Sequence, residues 1–279
     1  MIKTIDVKSA ETSEVYKYLT DSITPRPIAF VSSIDAEGNK NLSPFSFFNV
    51  FSVKPPILVF SPVRRVRNNT SKNTLDNINQ VKECVISLVT EDMAQQVSLA
   101  SCDFEANINE FKKAGFTEMK SDLIAPARIK ESPVNFECKV NKIITLAEKG
   151  GSGNLILCEV LKIHINEDII DRNNVIDPFK LKIVSRFGRN WYGKTTTDSL
   201  YEIVKPISKI GMGIDNLPKE IRTSKILTGN ELAILASAEN IPEKKDFILR
   251  NKKNTSEKHI LAKDFLSQGK TKDAWQILL

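Results

Sequence analysis

A mainly β fold with flanking helices, closed or partly closed into a barrel and followed by a helical C-terminal extension, is what this chain of 279 residues predicts. Three observations predict it. Short β-branched or aromatic runs alternate with turn residues through most of the chain. Two long apolar runs are joined by a glycine-rich loop, and helix-like patterning takes over after Pro206.

In chain order, residues 9–19 carry Val15, Tyr18 and Leu19 on one helical face. Ile28-Ala29-Phe30-Val31-Ser32-Ser33-Ile34 is a strand, and Asp35-Ala36-Glu37-Gly38-Asn39 is its hairpin turn. Residues 42–50 return as a second strand, and Ile57-Leu58-Val59-Phe60 forms a third after Pro55-Pro56. A helix over 71–81 presents Leu75, Ile78 and Val81, and residues 84–89 form a fourth strand. Asp92 is placed to cap a helix through Leu99. Residues 136–146 and 155–165 are two long strands joined by Gly150-Gly151-Ser152-Gly153. That loop is no dinucleotide fingerprint, because its glycines do not lead from a strand into a helix with G-x-G-x-x-G spacing. Beyond Pro206, Thr228-Gly229-Asn230-Glu231 fits a capping box, and residues 256–266 and 272–279 are amphipathic. The expected domains are therefore 1–205 and 206–279.

Hydrophobic residues make up 41% and charged residues 27%, enough apolar matter for an ordinary core. No apolar run approaches the roughly 20 residues that span a bilayer. The opening Met1-Ile2-Lys3-Thr4-Ile5-Asp6 has no long apolar stretch, so a cytoplasmic protein is expected. With only His164 and His259, a histidine-rich metal centre or a Ser-His-Asp triad has little to draw on, and no metal is expected. Cys84, Cys138 and Cys158 sit in strand-like runs and read as buried thiols. Residues 206–279 hold 13 basic and 9 acidic side chains, or +4 of the net +6. The basic residues are interspersed with acids and lack interleaved aromatics, so no nucleic-acid or membrane partner is expected.

Three segments carry candidate chemistry. Thr24-Pro25-Arg26-Pro27 holds an arginine between two prolines, a stiff mount that limits the entropy lost on engaging an anion or ring edge. The same run also reads as a plain strand-entry loop. Asn41-Leu42-Ser43-Pro44-Phe45-Ser46-Phe47-Phe48-Asn49-Val50 mixes three phenylalanines with small polar residues around an internal proline. Proline there implies a strand edge or a break in pairing. The backbone groups so exposed suit the pyrimidine edge of a planar heterocycle, although an aromatic-rich edge strand alone would look similar. Ser61-Pro62-Val63-Arg64-Arg65 and then Ser71-Lys72-Asn73-Thr74 lead into a helix. Hydroxyls, a lysine and free N–H groups at a helix start make a phosphate site or an ordinary N-cap.

The order of these segments, with Pro-Arg-Pro first and Ser-x-Lys-x-Thr last, resembles the flavin reductase-like family of FMN-binding split β-barrels, in the branch of DIM6/NTAB-type and flavoredoxin-type proteins. The resemblance spans roughly residues 10–205. It implies FMN, in preference to FAD, as cofactor. It places Arg26 near the flavin or its phosphate. Ser43, Pro44, Phe45 and Ser46 would lie along the isoalloxazine, Asn49 and Ser61 along the ring or ribityl chain, and Lys72, Asn73 and Thr74 on the phosphate. This chain has Lys-Asn-Thr where the family has Lys-Asp-Thr, which leaves the spot more positive. Ser185-Arg186-Phe187-Gly188 and Tyr192 match the family's late segment, which implies substrate or nicotinamide contacts for Arg186 and Tyr192. Residues 110–116 would shape the outer face of the ring, or simply form a helix closed by Gly115.

The implied function is an NAD(P)H-linked flavin reductase-like oxidoreductase acting as a homodimer. NAD(P)H would be the donor, and no protein group is needed as a catalytic acid or base because the redox chemistry belongs to the cofactor. The alternatives are a flavin carrier or electron-transfer protein that does not oxidise NAD(P)H, and a split barrel without cofactor.

Overall fold

The computed structural model describes residues 1–105, 108–203, 210–244 and 254–279. The chain divides into two compact units, Met1–Tyr201 and Glu202–Leu279. The boundary expected at 205/206 falls outside the described residues.

The first unit is built on seven antiparallel strands: β1 (Ala29–Ile34), β2 (Lys40–Phe45), β3 (Phe48–Val53), β4 (Pro56–Phe60), β5 (Glu83–Leu88), and later the long pair at Val134–Thr145 and Asn154–Ile165. Two short hairpins complete the strands, β6 (Glu118–Met119) with β7 (Arg128–Ile129) ahead of the long pair, now β8 and β9, and β10 (Val184–Arg186) with β11 (Tyr192–Lys194) after it. The large sheet runs β2-β1-β5-β8-β9-β4-β3. Its two outer strands, β2 and β3, are consecutive in sequence yet unpaired with each other, so the barrel is split between them.

The expected single strand over 42–50 is therefore corrected to two, β2 and β3, interrupted at Ser46 and Phe47. Proline fits the edge position of β2. Pro44 faces Phe30 on an edge strand, where its missing N–H costs no ladder bond on the open side.

The apolar run Ile28 to Val31 that opens β1 reflects burial on both faces. Alternation sends Ala29 and Val31 into the barrel with Phe45, Phe60, Ile86 and Cys158. Phe30 turns to the other side, against Leu42, Val97, Phe111 and Phe116. That second layer comes from α3 (Ala94–Ala100) and α4 (Glu110–Ala114), the latter stopped by Gly115 at φ 71°. Two helices precede them. The first, α1 (Thr12–Ser22), starts later than the sequence pattern indicates, because Asp6 organises its own turn with Lys8 and Ser9. The second, α2 (Asn73–Gln80), lays Thr74, Leu75, Asn77 and Ile78 inward against β1 and β2. Cys84, Cys138 and Cys158 are buried as expected, with the sulfurs of Cys84 and Cys158 at 3.8 Å. A one-turn helix, α5 (Pro178–Leu181), precedes β10.

The second unit has α6 (Lys219–Arg222), α7 (Gly229–Ala236), α8 (Thr255–Ser267) and α9 (Thr271–Leu278) around Leu217, Leu235, Ala262, Trp275 and Ile277. The predicted capping box at Thr228 and Glu231 is present, and Asn254 with Glu257 forms another. No described helix is long and apolar enough to cross a membrane.

Candidate functional site

The site begins where the barrel is split. Phe47 lies in the break, and its carbonyl accepts the Ser61 amide at 2.9 Å. Ser61, just past β4, is thereby held against Phe47, one step beyond the Phe48–Phe60 pair of the β3–β4 ladder. Ser43 and Ser61 are buried, Ser46 is half-buried, and Asn49 is exposed with its Oδ1 accepting the Val50 amide at 2.8 Å. Phe45 packs on Phe60 with centroids 5.2 Å apart, so this ring belongs to the barrel core.

Arg26 reaches the same break, with its guanidinium 5.9 Å from the Phe47 ring. It is buried, and its Nη1 donates to the carbonyls of Thr20 at 2.6 Å and Ile23 at 2.5 Å, while Nη2 donates to Phe187 at 3.1 Å. Burial lowers its pKa, Tyr16 opposes that, and the neighbouring Arg186 charge adds to it. The residue between two prolines thus ties the end of α1 to the segment after β10. Arg26 and Arg186 also exchange backbone hydrogen bonds of 3.0 and 2.8 Å. Arg186 closes its own turn through the carbonyls of Phe187 and Trp191, and lies over the Tyr192 ring at 4.7 Å. Arg26, Phe47, Arg186 and Tyr192 therefore form one patch beside the split.

A cationic seat is the other half of the site. Arg65 follows β4 and Lys72 immediately precedes α2. Arg65 Nη2 and Nε approach Asp103 Oδ1 at 2.8 and 3.1 Å, and Lys72 Nζ approaches the same oxygen at 2.9 Å. Arg65 is steadied by the Thr70 hydroxyl at 2.9 Å and the Ser71 carbonyl. The hydrogen bonds of Arg65 and Lys72, reinforced by their charges, hold the Asp103 carboxyl well below the usual carboxylate range, at about 2. Ser71 turns its hydroxyl to Asp76 at 2.8 Å. A cavity of about 400 Å³ opens beside this loop, lined by Arg64, Asn69, Ser71, Asp76, Glu148 and Asn154 among others.

The seat and the split are joined through Asn41. Thr74 donates its hydroxyl to Asn41 Oδ1 at 2.6 Å, and Asn41 Nδ2 donates to Glu110 Oε1 at 2.9 Å. Glu110 Oε2 takes the Leu42 amide at 2.9 Å. Burial raises the Glu110 pKa, while the Leu42 amide and Asn41 act against that rise. Thr74 is fully buried in this network, so its hydroxyl is committed to β2, whereas Lys72 and Asn73 are half-buried at the mouth of α2.

Of the residues singled out in the sequence, Ser43, Pro44 and Phe45 lie on β2, Ser46 in the break and Asn49 on β3, while Ser61 and Arg26 meet Phe47 at the break. Lys72, Asn73 and Thr74 gather at the seat, tied to the split strand two residues from Ser43. Sequence reasoning missed Asn41, Asp103 and Glu110 as partners and Phe47 as the residue in the break. Only tertiary contact reveals the first three.

The residues present suit a phosphorylated flavin. Two cations converge on one oxygen at a helix entrance, which is the donor set a phosphate monoester requires, and that helix is tied through Thr74 and Asn41 to the strand that ends at the break.

Among the described residues one trio, Asp122, Glu137 and His164, brings potential metal-binding atoms within 4.8 Å of one another. Its charges are already balanced. Lys162 lies 2.8 Å from Asp122, and Arg128 is 3.9 Å from Asp122 and 4.0 Å from Glu137. Glu137 accepts the Asp122 and Leu123 amides and His164 Nε2, which pins that loop to β8.

Residues 21–178 match the family described as the flavin reductase like domain. An uncharacterized protein of Aquifex aeolicus is 35% identical over 188 residues, covering 67% of this chain and 93% of the relative. The structure resembles that of nitrilotriacetate monooxygenase component B from Bacillus cereus, with a TM-score of 0.68 at 27% identity, over 73% of this chain and 99% of that one. It also resembles 2-nitrobenzoate 2-nitroreductase NbaA from Pseudomonas fluorescens, with a TM-score of 0.66 at 28% identity, over 76% of this chain and 100% of that one.

Proposed function

The chain belongs to the flavin reductase-like family, and from that premise we propose that it binds FMN at the barrel split and passes reducing equivalents from NAD(P)H to an acceptor, as a cytoplasmic homodimer. A flavin-linked oxidoreductase role is what the family supports. Both structural relatives carry oxidoreductase names, one a monooxygenase component and the other a nitroreductase.

The observation that carries the finer reading is the 2.6 Å hydrogen bond from Thr74 to Asn41, which fastens the cationic helix entrance to the strand that ends at the split. Arg65 and Lys72 would receive the phosphate, with Asn73 at the helix start. The backbone around Ser43 to Ser46, with Asn49 and Ser61, would meet the ring and ribityl chain. Arg26 acts on the site by fixing the break, since its guanidinium is occupied by three carbonyls. Exposed Tyr192 and half-buried Arg186 offer a rim for the nicotinamide or substrate. Bound FMN would supply the redox centre. The chain's own residues orient it, leave one side open to the donor, and need supply no proton.

Steady-state oxidation of NADH and NADPH with FMN added to the full-length chain tests this reading. Flavin-dependent loss of nicotinamide absorbance is expected. Tight FMN binding with no oxidation of either nucleotide would make the chain a flavin carrier instead.

A further inference from the structure

We propose that Asp103 is a resident competitor for the phosphate seat, a carboxylate that a phosphate monoester must displace from Arg65 and Lys72, and so a residue that sets how strongly the chain prefers FMN over riboflavin. The inference rests on the flavin reading above and adds to it a residue that the sequence did not single out.

All of the short contacts run to a single atom. Arg65 Nη2, Arg65 Nε and Lys72 Nζ lie 2.8, 3.1 and 2.9 Å from Asp103 Oδ1. One carboxylate oxygen thus stands where two cationic side chains converge, as one oxygen of a phosphate would. Two positive charges against one negative leave the seat with a net positive charge, and the start of the eight-residue α2 directly behind Lys72 adds to it. A monoester dianion brings a second negative charge and further acceptor oxygens, so Arg65 and Lys72 can each take one of their own.

Release of Asp103 is inexpensive. Its side chain is 49% exposed, against 21% for Arg65 and 26% for Lys72. It lies in irregular chain just after α3, where the nearest backbone restraint is the Phe104 amide on the Cys102 carbonyl. On swinging outward the carboxylate meets water, whereas the Arg65 guanidinium remains held by Thr70 and Ser71 and the Lys72 backbone by the helix it precedes. An exposed ion pair of this kind is a weak one, so the competition it offers is modest.

The test compares FMN with riboflavin, which lacks the phosphate, by quenching of flavin fluorescence on titrating the flavin-free, full-length chain. Four proteins are needed: wild type, Asp103→Asn, Asp103→Ser and the double variant Arg65→Ala/Lys72→Ala. Wild type is expected to bind FMN more tightly than riboflavin, and the double variant to lose that preference. Both Asp103 variants are expected to tighten FMN about two- to fivefold, the range of an exposed ion pair, and to leave riboflavin unchanged. An unchanged or weakened FMN affinity in both variants, with the wild-type preference intact, overturns the role of Asp103 alone; the carboxylate would then be orienting the two cations. A wild type that binds neither flavin, or binds both equally, overturns this inference together with the reading it rests on.

Discussion

Thr74 and Asn41 stand 33 residues apart in sequence and share a buried hydrogen bond of 2.6 Å, through which the entrance of α2 is fixed to β2. Asn41 in turn holds Glu110, so one side chain connects two helices and the edge of the split. Replacing Thr74 with valine keeps the shape and removes the donor. It leaves Asn41 Oδ1 buried, and the expected loss is about 1–3 kcal/mol in urea denaturation. The same variant should weaken FMN more than riboflavin, because the phosphate seat and the ring edge lose their common anchor.

Arg26 is buried by its work on backbone carbonyls. Arg26→Ala removes the side-chain donor from the carbonyls of Thr20 and Ile23 and leaves Phe187 only Arg186, and should cost about 3 kcal/mol in chemical denaturation. Arg26→Lys keeps the charge but cannot span three acceptors, and should recover less than half of that loss.

Glu137 gives the first unit an acid-sensitive anchor. Burial alone would push its pKa up, but the Asp122 and Leu123 amides and His164 outweigh that and hold it below the ordinary value of 4.5. A carboxylate depressed in the folded state contributes stability that is present above 4.5 and is lost as pH falls through its lowered folded value. Glu137→Gln should therefore cost about 2–4 kcal/mol at neutral pH. The gap to wild type should narrow in denaturation curves taken below pH 4.5.

Asp103 follows the same sign on a smaller scale. Its ordinary value of 3.8 falls to about 2 in the fold, so its contribution is complete above 3.8 and disappears as pH drops toward 2. Because the side chain is half exposed, solvent screening keeps that contribution below about 1 kcal/mol. Carbon-detected NMR titration of the side-chain carboxyl should place its midpoint near 2 in wild type, and Arg65→Ala should return it toward 3.8.

The first unit was legible wherever local pattern and tertiary role agree. Ile28 to Val31 reads as a strand because both of its faces are buried, and the residues flanking Gly150 to Gly153 read as a hairpin because β8 and β9 are long enough to show their composition. Thr228 and Glu231 declared a helix start through a purely local exchange of hydrogen bonds. Pro44 signalled an edge, though not the extra break at Ser46 and Phe47, which depends on where β4 and Ser61 come to lie. The hairpins β6–β7 and β10–β11 are too short to leave a period. Lys72 was legible as a cation at a helix entrance. Its partner Asp103, 31 residues away, was not, since an ion pair across that distance leaves no mark in sequence. Arg26 was legible as a special residue, but rigidity between two prolines did not reveal that backbone carbonyls would occupy it.

The central claim is that the barrel split with its cationic helix entrance is an FMN site. Denaturing release of flavin from the full-length chain saturated with FMN and freed of excess measures it directly. One FMN per chain, retained by wild type and lost from the Arg65→Ala/Lys72→Ala variant, is the predicted result. A wild type that retains no flavin, or a variant that retains as much as wild type, would contradict it.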